Sequence, residues 1–184
     1  MNFKIKKLII NLMFYFPFMD SIIFILTNKR FYLKKLVWID ELLSLKVLKE
    51  KETCIIYSPN LGNGHQEIIS VSPKISLYIL ENVFCSSNSS SFYDNTSVFV
   101  ENFFGIEQSD ADYSSGHLIK HNLKRGLIRE NKISQIDKTV FFLAGNGSFN
   151  YFHWLIEILP KLLFLNNNLI KEFKIDAIFV NSRA

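Results

Sequence analysis

The sequence TVFFLAGNGSFNYFHWLIEILPKLLFL, residues 139–165, decides the fold of this chain. It opens with an apolar run at 139–144, continues through a glycine-containing turn at 145–148, and then has apolar residues at helical spacing over 150–165. A second run, IDAIFV at 175–180, has the length and composition of a strand. Strand, helix and strand in this order predict a βαβ unit, whose parallel strands bind ligands at their carboxyl ends.

Short runs of β-branched and aromatic residues precede this unit. They lie at 53–58, 67–71, 76–84 and 96–103, and they are separated by Pro and Gly residues and by the serine-rich tract 86–91. This alternation of apolar runs and turn signals predicts a meander of antiparallel strands.

Two helices are predicted outside the βαβ unit. Apolar residues spaced by three and four follow Asp40, a residue type that favours the N-cap, and they predict a helix from Asp40 to Lys49. Residues 105–138 are polar with weak periodicity, which predicts a loop and one short helix around 117–125.

These patterns predict an α/β protein in three parts. Residues 1–50 form an apolar and basic helical N-terminal segment, residues 51–138 a strand-rich region with polar loops, and residues 139–184 the start of a Rossmann-like βαβ domain. The chain stops just after the second strand, so we expect its doubly wound sheet to be truncated.

The net charge of +4 is unevenly distributed. Residues 1–50 contain nine Lys and Arg against four Asp and Glu, whereas residues 51–184 contain twelve against thirteen. A nucleic-acid-binding protein carries a basic stripe on its folded surface, and the body of this chain lacks one. The charge pattern therefore argues against nucleic acid as a partner. Cys54 and Cys85 lie in apolar runs without metal spacing, and we expect them to be small core residues in a reducing compartment.

The N-terminal segment has two interpretations. Lys4, Lys6 and Lys7 precede an apolar stretch whose longest charge-free run, 8–19, has 12 residues, short of the roughly 20 that a spanning helix needs. The stretch either lies on an anionic membrane surface or forms a core helical hairpin with a lysine-rich rim. The sequence leaves both interpretations open.

His153 is the centre of the candidate site. At the helical angle of roughly 100° per residue, the polar edge around it also contains Asn150, Glu157, Pro160 and Lys161. The first turn of a helix has free backbone N–H groups and the positive end of the dipole, which disfavour the imidazolium form and suit a general base. Pro160 removes one helical hydrogen bond and is expected to bend the helix next to Glu157. The opposite face is expected to pack on the sheet through Trp154, Leu155, Ile158, Leu159, Leu162 and Leu165.

The same residues also fit a purely structural role. His153 and Glu157 would then form an i,i+4 pair on a surface helix, worth about 0.2–0.5 kcal/mol. The pattern Gly145-x-Gly147-x-x-Asn150 imitates a dinucleotide-binding fingerprint but has Asn where Gly or Ala should stand. That departure disfavours a stand-alone nucleotide-binding module.

The stretch NYFHWLIEILPKL, residues 150–162, resembles the N-Y-F-H-W-x-x-E-x-L-P-[RK]-L signature of the family-61 glycosyltransferases. That family includes proteins of capsular polysaccharide biosynthesis, and the resemblance extends over roughly residues 50–184. It implies a GT-B architecture of two Rossmann-like halves, with inverting transfer from a nucleotide-activated sugar. No metal or other cofactor is expected.

The resemblance also implies roles for individual residues. His153 and Glu157 would be catalytic, with His153 as general base or acceptor contact. The substrate-binding residues would be Asn150, Tyr151, Trp154, Gly145, Gly147 and Ser148.

Two weaker patterns concern metals. Asp110-Ala111-Asp112 is a D-x-D sequence, and His117 with His121 has the i,i+4 spacing of a chelating pair on a helix. A D-x-D in a polar loop arises often by chance, and the two histidines have no third and fourth ligand at convincing spacing. We therefore expect no metal site.

The expected function is that of a glycosyltransferase of capsular or other cell-surface polysaccharide assembly, present as its N-terminal part. Its partners would be a nucleotide-sugar donor and a glycan or lipid-linked acceptor. The protein would be cytoplasmic, with peripheral contact to the cytoplasmic face of the inner membrane through its basic N-terminal segment. The alternative function is that of a non-catalytic remnant or scaffold protein of a membrane polysaccharide-assembly complex.

Overall fold

A computed structural model describes most of the chain. The described residues are 3–16, 24, 29–57, 62, 64, 66–72, 74–87, 89–101, 111–112, 116–130, 132–145 and 150–181. They belong to two compact units, the first made of Met1–Glu41 with Asn82–Ala184 and the second of Leu42–Glu81. The division of the chain into domains at residues 50 and 138 stays a prediction.

The structure is mixed α/β and rich in strands. Helix α1 spans Phe3–Tyr15 and α2 spans Asn167–Glu172. A helical segment of changing hydrogen-bond pattern, which we call the His153 helix, spans Tyr151–His153, Trp154–Ile158 and Leu159–Phe164. The strands are β1 (Phe31–Trp38), β2 (Lys46–Lys49), β3 (Glu52–Tyr57), β4 (Glu67–Ser72), β5 (Ile75–Leu77), β6 (Ser91–Tyr93), β7 (Ser97–Val100), β8 (Ala111–Asp112), β9 (Leu118–His121), β10 (Arg125–Arg129), β11 (Val140–Leu143) and β12 (Ala177–Val180).

A six-stranded sheet forms the centre of the first unit. Its strand order is β6-β7-β1-β10-β9-β8. β1 pairs in parallel with β7 and antiparallel with β10, so it lies inside the sheet with a neighbour on each side. The parallel pairing was not predicted, because residues 31–38 were included in the helical N-terminal segment.

The sheet is strongly curled. Four strand-to-strand steps separate β6 from β9, which in a flat sheet would correspond to about 19 Å. Yet the ring centroids of Tyr93 in β6 and of His117, next to β9, are 4.7 Å apart. The curl encloses a cluster of buried apolar side chains that comprises Leu36, Trp38, Tyr93, Val98, Val100, Leu118 and Ile128.

Gly126 permits the closest approach inside the curl. It lies in β10, and a Cβ atom at this position would be 2.5 Å from Cγ1 of Val98 in β7 and 3.3 Å from Cδ1 of Leu118. Real Cβ atoms do not approach a neighbouring carbon to 2.5 Å, so any other residue here would force Val98 or the strand that carries it to shift.

We predict that Gly126→Ala destabilises the protein, because overpacking a filled core costs about 1–3 kcal/mol. The substitution Val98→Ala removes the Cγ1 atom that the new methyl group would meet. The free energy of unfolding of the double variant, measured by urea denaturation, should therefore be higher than the sum of the two single effects predicts. Additive effects would show that the close approach does not limit the packing.

Helix α1 covers the outer face of the same sheet. Met13 and Phe14 are buried against Leu127, with Ile9, Ile10, Phe31 and Leu33 packed around them. Nζ of Lys120 donates to Oδ1 of Asn11 at 3.0 Å and lies 5.3 Å from the centroid of the Phe14 ring. Asn11, which interrupts the apolar stretch in the sequence, thus accepts a hydrogen bond from a buried lysine. The packing of residues 9–14 on the sheet fits the interpretation in which the N-terminal segment is part of the core.

Deletion of residues 1–35 should therefore prevent folding of the first unit. It would remove the buried side chains of α1 and half of β1, whereas replacing one buried Phe by Ala already costs about 3–5 kcal/mol of a total stability of roughly 5–15 kcal/mol. Circular dichroism and the soluble fraction after expression would measure the loss.

Deletion of residues 1–8 is the matched control, since Lys7 and Leu8 are exposed. The control should remain folded. A folded protein lacking residues 1–35 would contradict the central position of β1.

The second unit consists of two antiparallel strand pairs, β2 with β5 and β3 with β4. The hairpin of β3 and β4 confirms the strands predicted at 53–58 and 67–71. The helix predicted from Asp40 to Lys49 is wrong, because Ile39–Glu41 forms only one 3-10 turn and Lys46–Lys49 is a strand. Apolar residues at spacings of three and four did not distinguish a helix from a short paired strand.

The expectation that both cysteines are core residues is also wrong. Cys54 and Cys85 are free thiols in exposed positions. Every residue of β3 is exposed, so the apolar residues next to Cys54 in the sequence do not bury it.

The helix predicted around 117–125 is wrong as well, because these residues form β9, a turn and β10. Oδ1 of Asn122 accepts the backbone N–H groups of Lys124 and Arg125, each at 2.9 Å. An Asn side chain that bonds the backbone two or three residues ahead stabilises a turn and competes with helix formation. That local bond explains the error.

The C-terminal βαβ order is confirmed. β11 and β12 are parallel and pair from Val140 with Ala177 to Leu143 with Val180. Thr139 and Asp176 fix the start of the pair, since the Asp176 N–H donates to the Thr139 carbonyl at 2.8 Å and the Thr139 N–H donates to Oδ2 of Asp176 at 2.9 Å. Helix α2, which the sequence analysis missed, follows the His153 helix and leads into β12.

Candidate functional site

The carboxyl end of β11 carries the first residue of the candidate site. Gly145 follows this strand, is buried, and has a φ of 156°, a conformation that favours glycine. A Cβ atom here would be 2.7 Å from Oγ of Ser90, and the Gly145 N–H donates to the carbonyl of Ser87 at 3.4 Å. Ser87 and Ser90 of the serine-rich tract therefore lie directly against Gly145, a contact that the sequence did not reveal.

The His153 helix begins where the sequence predicts. Asn150 is its N-cap, and Oδ1 of Asn150 accepts the N–H of Phe152 at 2.9 Å. This bond satisfies one of the free N–H groups of the first turn. The amide nitrogen of Asn150, which is a donor, is then the group suited to contact a ligand.

The helix departs from the uniform α-helix predicted for 150–165. The N–H of Leu159 bonds to the carbonyl of Trp154, five residues earlier, so Trp154–Ile158 is π-helical, and Leu159–Phe164 is a 3-10 helix with Pro160 near its start. The sequence predicted that Pro160 bends the helix next to Glu157, and the structure shows a change of helix type beside this proline. Single π-helical turns are rare and occur often at functional sites.

The predicted site residues differ in how far the structure describes them. His153 is half-buried and its ring lies edge-on to Phe152, with centroids 6.0 Å apart. Tyr151 is exposed, and Trp154 is half-buried. The side chain of Glu157 and the whole of Gly147 and Ser148 lie outside the described residues.

The indole of Trp154 contains an unusual donor. Its Nε1 atom is buried and has no hydrogen-bond partner within the described ranges. A buried N–H without an acceptor costs about 1–3 kcal/mol. Because the atom is buried, a ligand would reach it only after the surrounding residues moved, so the predicted substrate contact of Trp154 stays a prediction.

The apolar face of the helix is less buried than predicted. Ile158 is buried, and Trp154, Leu159, Leu162 and Leu165 are partly buried. Leu155, however, was expected to pack on the sheet and is 43% exposed, and Ile156 and Phe152 beside it are 53% and 63% exposed. The π-helical pattern changes the angle per residue, so a 100° wheel assigns these faces incorrectly.

A buried polar cluster lies next to the glycine turn. Oγ of Ser89 and Oγ of Ser91 are 2.6 Å apart, and Oγ of Ser91 is 3.1 Å from Nε2 of His117. All three side chains are at least 97% buried. Nδ1 of His117 has no hydrogen-bond partner in the part of the chain that the structure describes. Burial lowers the pKa of His117 from 6.5 to about 4, so the imidazole is neutral at pH 7.

The histidine pair of the two weak metal patterns was based on helical spacing, which would bring its rings together. On the observed strand, residues four apart are about 13 Å from each other. His117 bonds to Ser91, whereas the ring of His121 lies 5.7 Å from that of Trp38. Asp110 and the side chain of Asp112 are outside the described residues, among which no three His, Cys, Asp or Glu residues converge as metal ligands.

Comparison with known proteins supplies no relative. No model of a known protein family, no curated protein and no solved structure matches the chain. Within the described ranges, no helix is both long and apolar enough to cross a bilayer.

We predict that His117 makes the stability of the protein depend on pH. The folded state binds a proton at His117 only below about pH 4, whereas the unfolded state binds it below 6.5. Stability is therefore retained above pH 7 and falls as the pH decreases from about 6.5 towards 4, with a loss of about 2 kcal/mol between pH 7 and pH 5.

Urea denaturation of the natural protein and of His117→Gln at both pH values isolates this contribution, because the other histidines are common to both. The variant should lose less stability on acidification. Equal losses would rule out His117 as the cause.

Proposed function

We propose that the chain supplies one half of the active site of an inverting, nucleotide-sugar-dependent glycosyltransferase of cell-surface polysaccharide assembly. The proposal is based on one observation: a helix whose sequence resembles the family-61 signature begins just after the carboxyl end of a strand in a parallel βαβ unit. In doubly wound folds, that end is where ligands bind. A Rossmann-like half of a GT-B enzyme would have its site in this place.

His153 is the group that can activate the acceptor. It lies in the opening turn of the helix and is only half-buried, so a ligand can reach its ring. As general base it would take the proton of an acceptor hydroxyl while that oxygen attacks the anomeric carbon. The bond from this carbon to the nucleoside diphosphate would break, and the configuration would invert. Glu157 would orient the imidazole or hold a second hydroxyl.

The remaining predicted residues have supporting roles. Gly145 lets the chain turn closely against its neighbours, and Gly147 and Ser148 would continue the floor of the site. Asn150 would donate to a substrate oxygen through its amide nitrogen, and the half-buried ring of Trp154 would line the site. Tyr151 is 77% exposed and could stack on a sugar ring. The resemblance implies no metal or cofactor for this chemistry.

The donor would be a nucleotide sugar, and the acceptor a glycan or a lipid-linked glycan. In a GT-B enzyme the donor contacts are mostly made by a second Rossmann-like half, so this chain would act together with such a half. We place the protein in the cytoplasm, at the inner face of the membrane where lipid-linked acceptors are made. The first residues of the basic segment, Lys4, Lys6 and Lys7, would contribute attraction to anionic lipid.

A second candidate function is that of a non-catalytic scaffold protein in a polysaccharide-assembly complex. It is favoured by the exposed apolar side chains of Phe152, Leu155 and Ile156, which together resemble a surface that a protein partner would cover. The two candidates differ in one respect: only the transferase needs the imidazole of His153.

We predict that His153→Ala lowers transfer by about 10²–10⁴-fold, the usual contribution of a general base, while changing stability little. The assay measures transfer of radiolabelled sugar from a nucleotide donor to a glycan acceptor by the chain joined to the donor-binding half of a related transferase. The 184-residue chain without that half should not transfer sugar, because it cannot hold the donor at reacting distance.

Leu163→Ala is the matched control, since Leu163 lies on the same helix and is 84% exposed. Its activity should equal that of the natural sequence. Full activity of His153→Ala would remove this residue from the mechanism. Unchanged binding to an assembly complex, without transfer by any version, would support the scaffold.

A further inference from the structure

Strand β6 has two faces that contact different parts of the first unit. Successive side chains of a strand point to opposite sides. Ser91 and Tyr93 point into the curled sheet, where Ser91 bonds to His117 and the Tyr93 ring packs on the His117 ring. Phe92 points the other way and meets Phe142 of β11 with ring centroids 4.8 Å apart. The strand therefore connects the interior of the sheet to the βαβ unit.

The residues before β6 extend this connection to the glycine turn. Ser90 lies between Ser89 and Ser91, and both of these are hydrogen-bonded inside the sheet. Oγ of Ser90 occupies the space next to Gly145 that a Cβ atom would need. Only the small residue at 145 allows the tract and the turn to lie so close together.

Hydrogen bonds of ordinary length tie the tract to the interior of the sheet. They measure 2.6 Å between the oxygens of Ser89 and Ser91 and 3.1 Å from Ser91 to His117. The Gly145 N–H reaches the Ser87 carbonyl at 3.4 Å. The tract therefore contacts both His117 and Gly145.

His117 is the residue at the inner end of this chain of contacts. Its ring is 1% exposed and packs on Tyr93, and Nε2 is the nitrogen that meets Ser91. When Nε2 carries the proton, Nδ1 has only a lone pair. A buried lone pair without a donor is better tolerated than a buried N–H group without an acceptor. In that tautomer Nε2–H donates to Ser91, and Ser91 donates to Ser89.

We propose that His117 is a positioning residue of the candidate site. Through Ser91 and Ser89 it fixes the serine tract, and the tract holds Gly145 at the start of the turn that leads to Asn150 and His153. His117 itself would not touch a substrate.

The consequence for activity depends on the proposed function. A displacement of about 1 Å at a reacting group can cost on the order of 100-fold in rate. A tract released from His117 would let the glycine turn shift and would move His153 relative to its acceptor. The effect should appear in kcat, because the reacting geometry changes while most binding contacts remain.

Two variants of His117 separate positioning from simple packing. Both His117→Gln and His117→Asn remove the ring that packs on Tyr93. A glutamine amide nitrogen reaches the place of Nε2 and can still donate to Ser91, whereas the shorter asparagine ends near the place of Nδ1. Gln should therefore retain the position of the tract, and Asn should release it.

The amide proton of Gly145 reports the position of the turn without any substrate. The chain has seven glycines, so a spectrum of ¹⁵N-glycine-labelled protein is simple to assign. Hydrogen exchange at Gly145 should become about tenfold faster in His117→Asn than in His117→Gln, as expected for the loss of one hydrogen bond. Gly126, inside the sheet, should exchange at similar rates in both variants and controls for global destabilisation.

Ser91→Ala is a second route to the same result and removes only a hydroxyl group. It should accelerate exchange at Gly145 as His117→Asn does, and the double variant should add little, because both changes break the same chain. Equal exchange at Gly145 in the Gln, Asn and Ala variants would overturn the proposal, as would acceleration of Gly126 to the same extent.

Activity of the joined protein separates this proposal from the proposed function. A low kcat with nearly unchanged KM in His117→Asn, restored in His117→Gln, supports both. If the exchange rates at Gly145 follow the prediction but the natural sequence transfers no sugar, the result supports the positioning role of His117 and contradicts the proposed transferase function. Transfer that is equally fast in His117→Asn and the natural sequence contradicts positioning alone.

Discussion

The first unit depends on one close approach, that of β7 and β10 across β1. It is possible because Gly126 has no side chain. It curls the six-stranded sheet until β6 and β9 share one interior. The curl turns the inner faces of five strands towards a common apolar cluster, so this sheet buries one side without a second layer. Helix α1 covers part of the outer side. The serine tract then lies where the curled edge meets β11.

The edge of the curl is polar, although its centre is apolar. Tyr93 belongs to the apolar cluster, while Ser89, Ser91 and His117 beside it bond to one another. Buried polar groups are costly unless they are paired. Here Ser89 pairs with Ser91, and Ser91 pairs with Nε2 of His117. Such a cluster contributes less to stability than an apolar one of equal size, but it defines the position of a loop that has no regular structure.

The sequence predicted the elements whose signals are local. It failed where the structure depends on strands that are distant in the chain. The order of β11, helix and β12 follows from run lengths and one glycine turn, and Asn150 was correctly placed at the start of the helix. The π-helical turn could not be predicted from a 100° wheel, because the wheel assumes the bond pattern that Pro160 changes. The contact of Ser90 with Gly145 joins residues 55 positions apart in the chain. They come together where β6 meets β11, beside the contact of Phe92 with Phe142.

Two histidines of the first unit illustrate why burial decides which of them can act on a substrate. His117 and His153 are both histidines that were predicted to lie in helices. The structure encloses His117 almost completely, and its neutral ring has a serine at one nitrogen and no hydrogen-bond partner at the other within the described residues. A base must release its proton to a product or to water, and a sealed imidazole has no route for it. His153 lies beyond the strand end and is partly exposed, so a ligand can reach it. The difference in burial therefore suits His117 to a positioning role and leaves His153 as the candidate base.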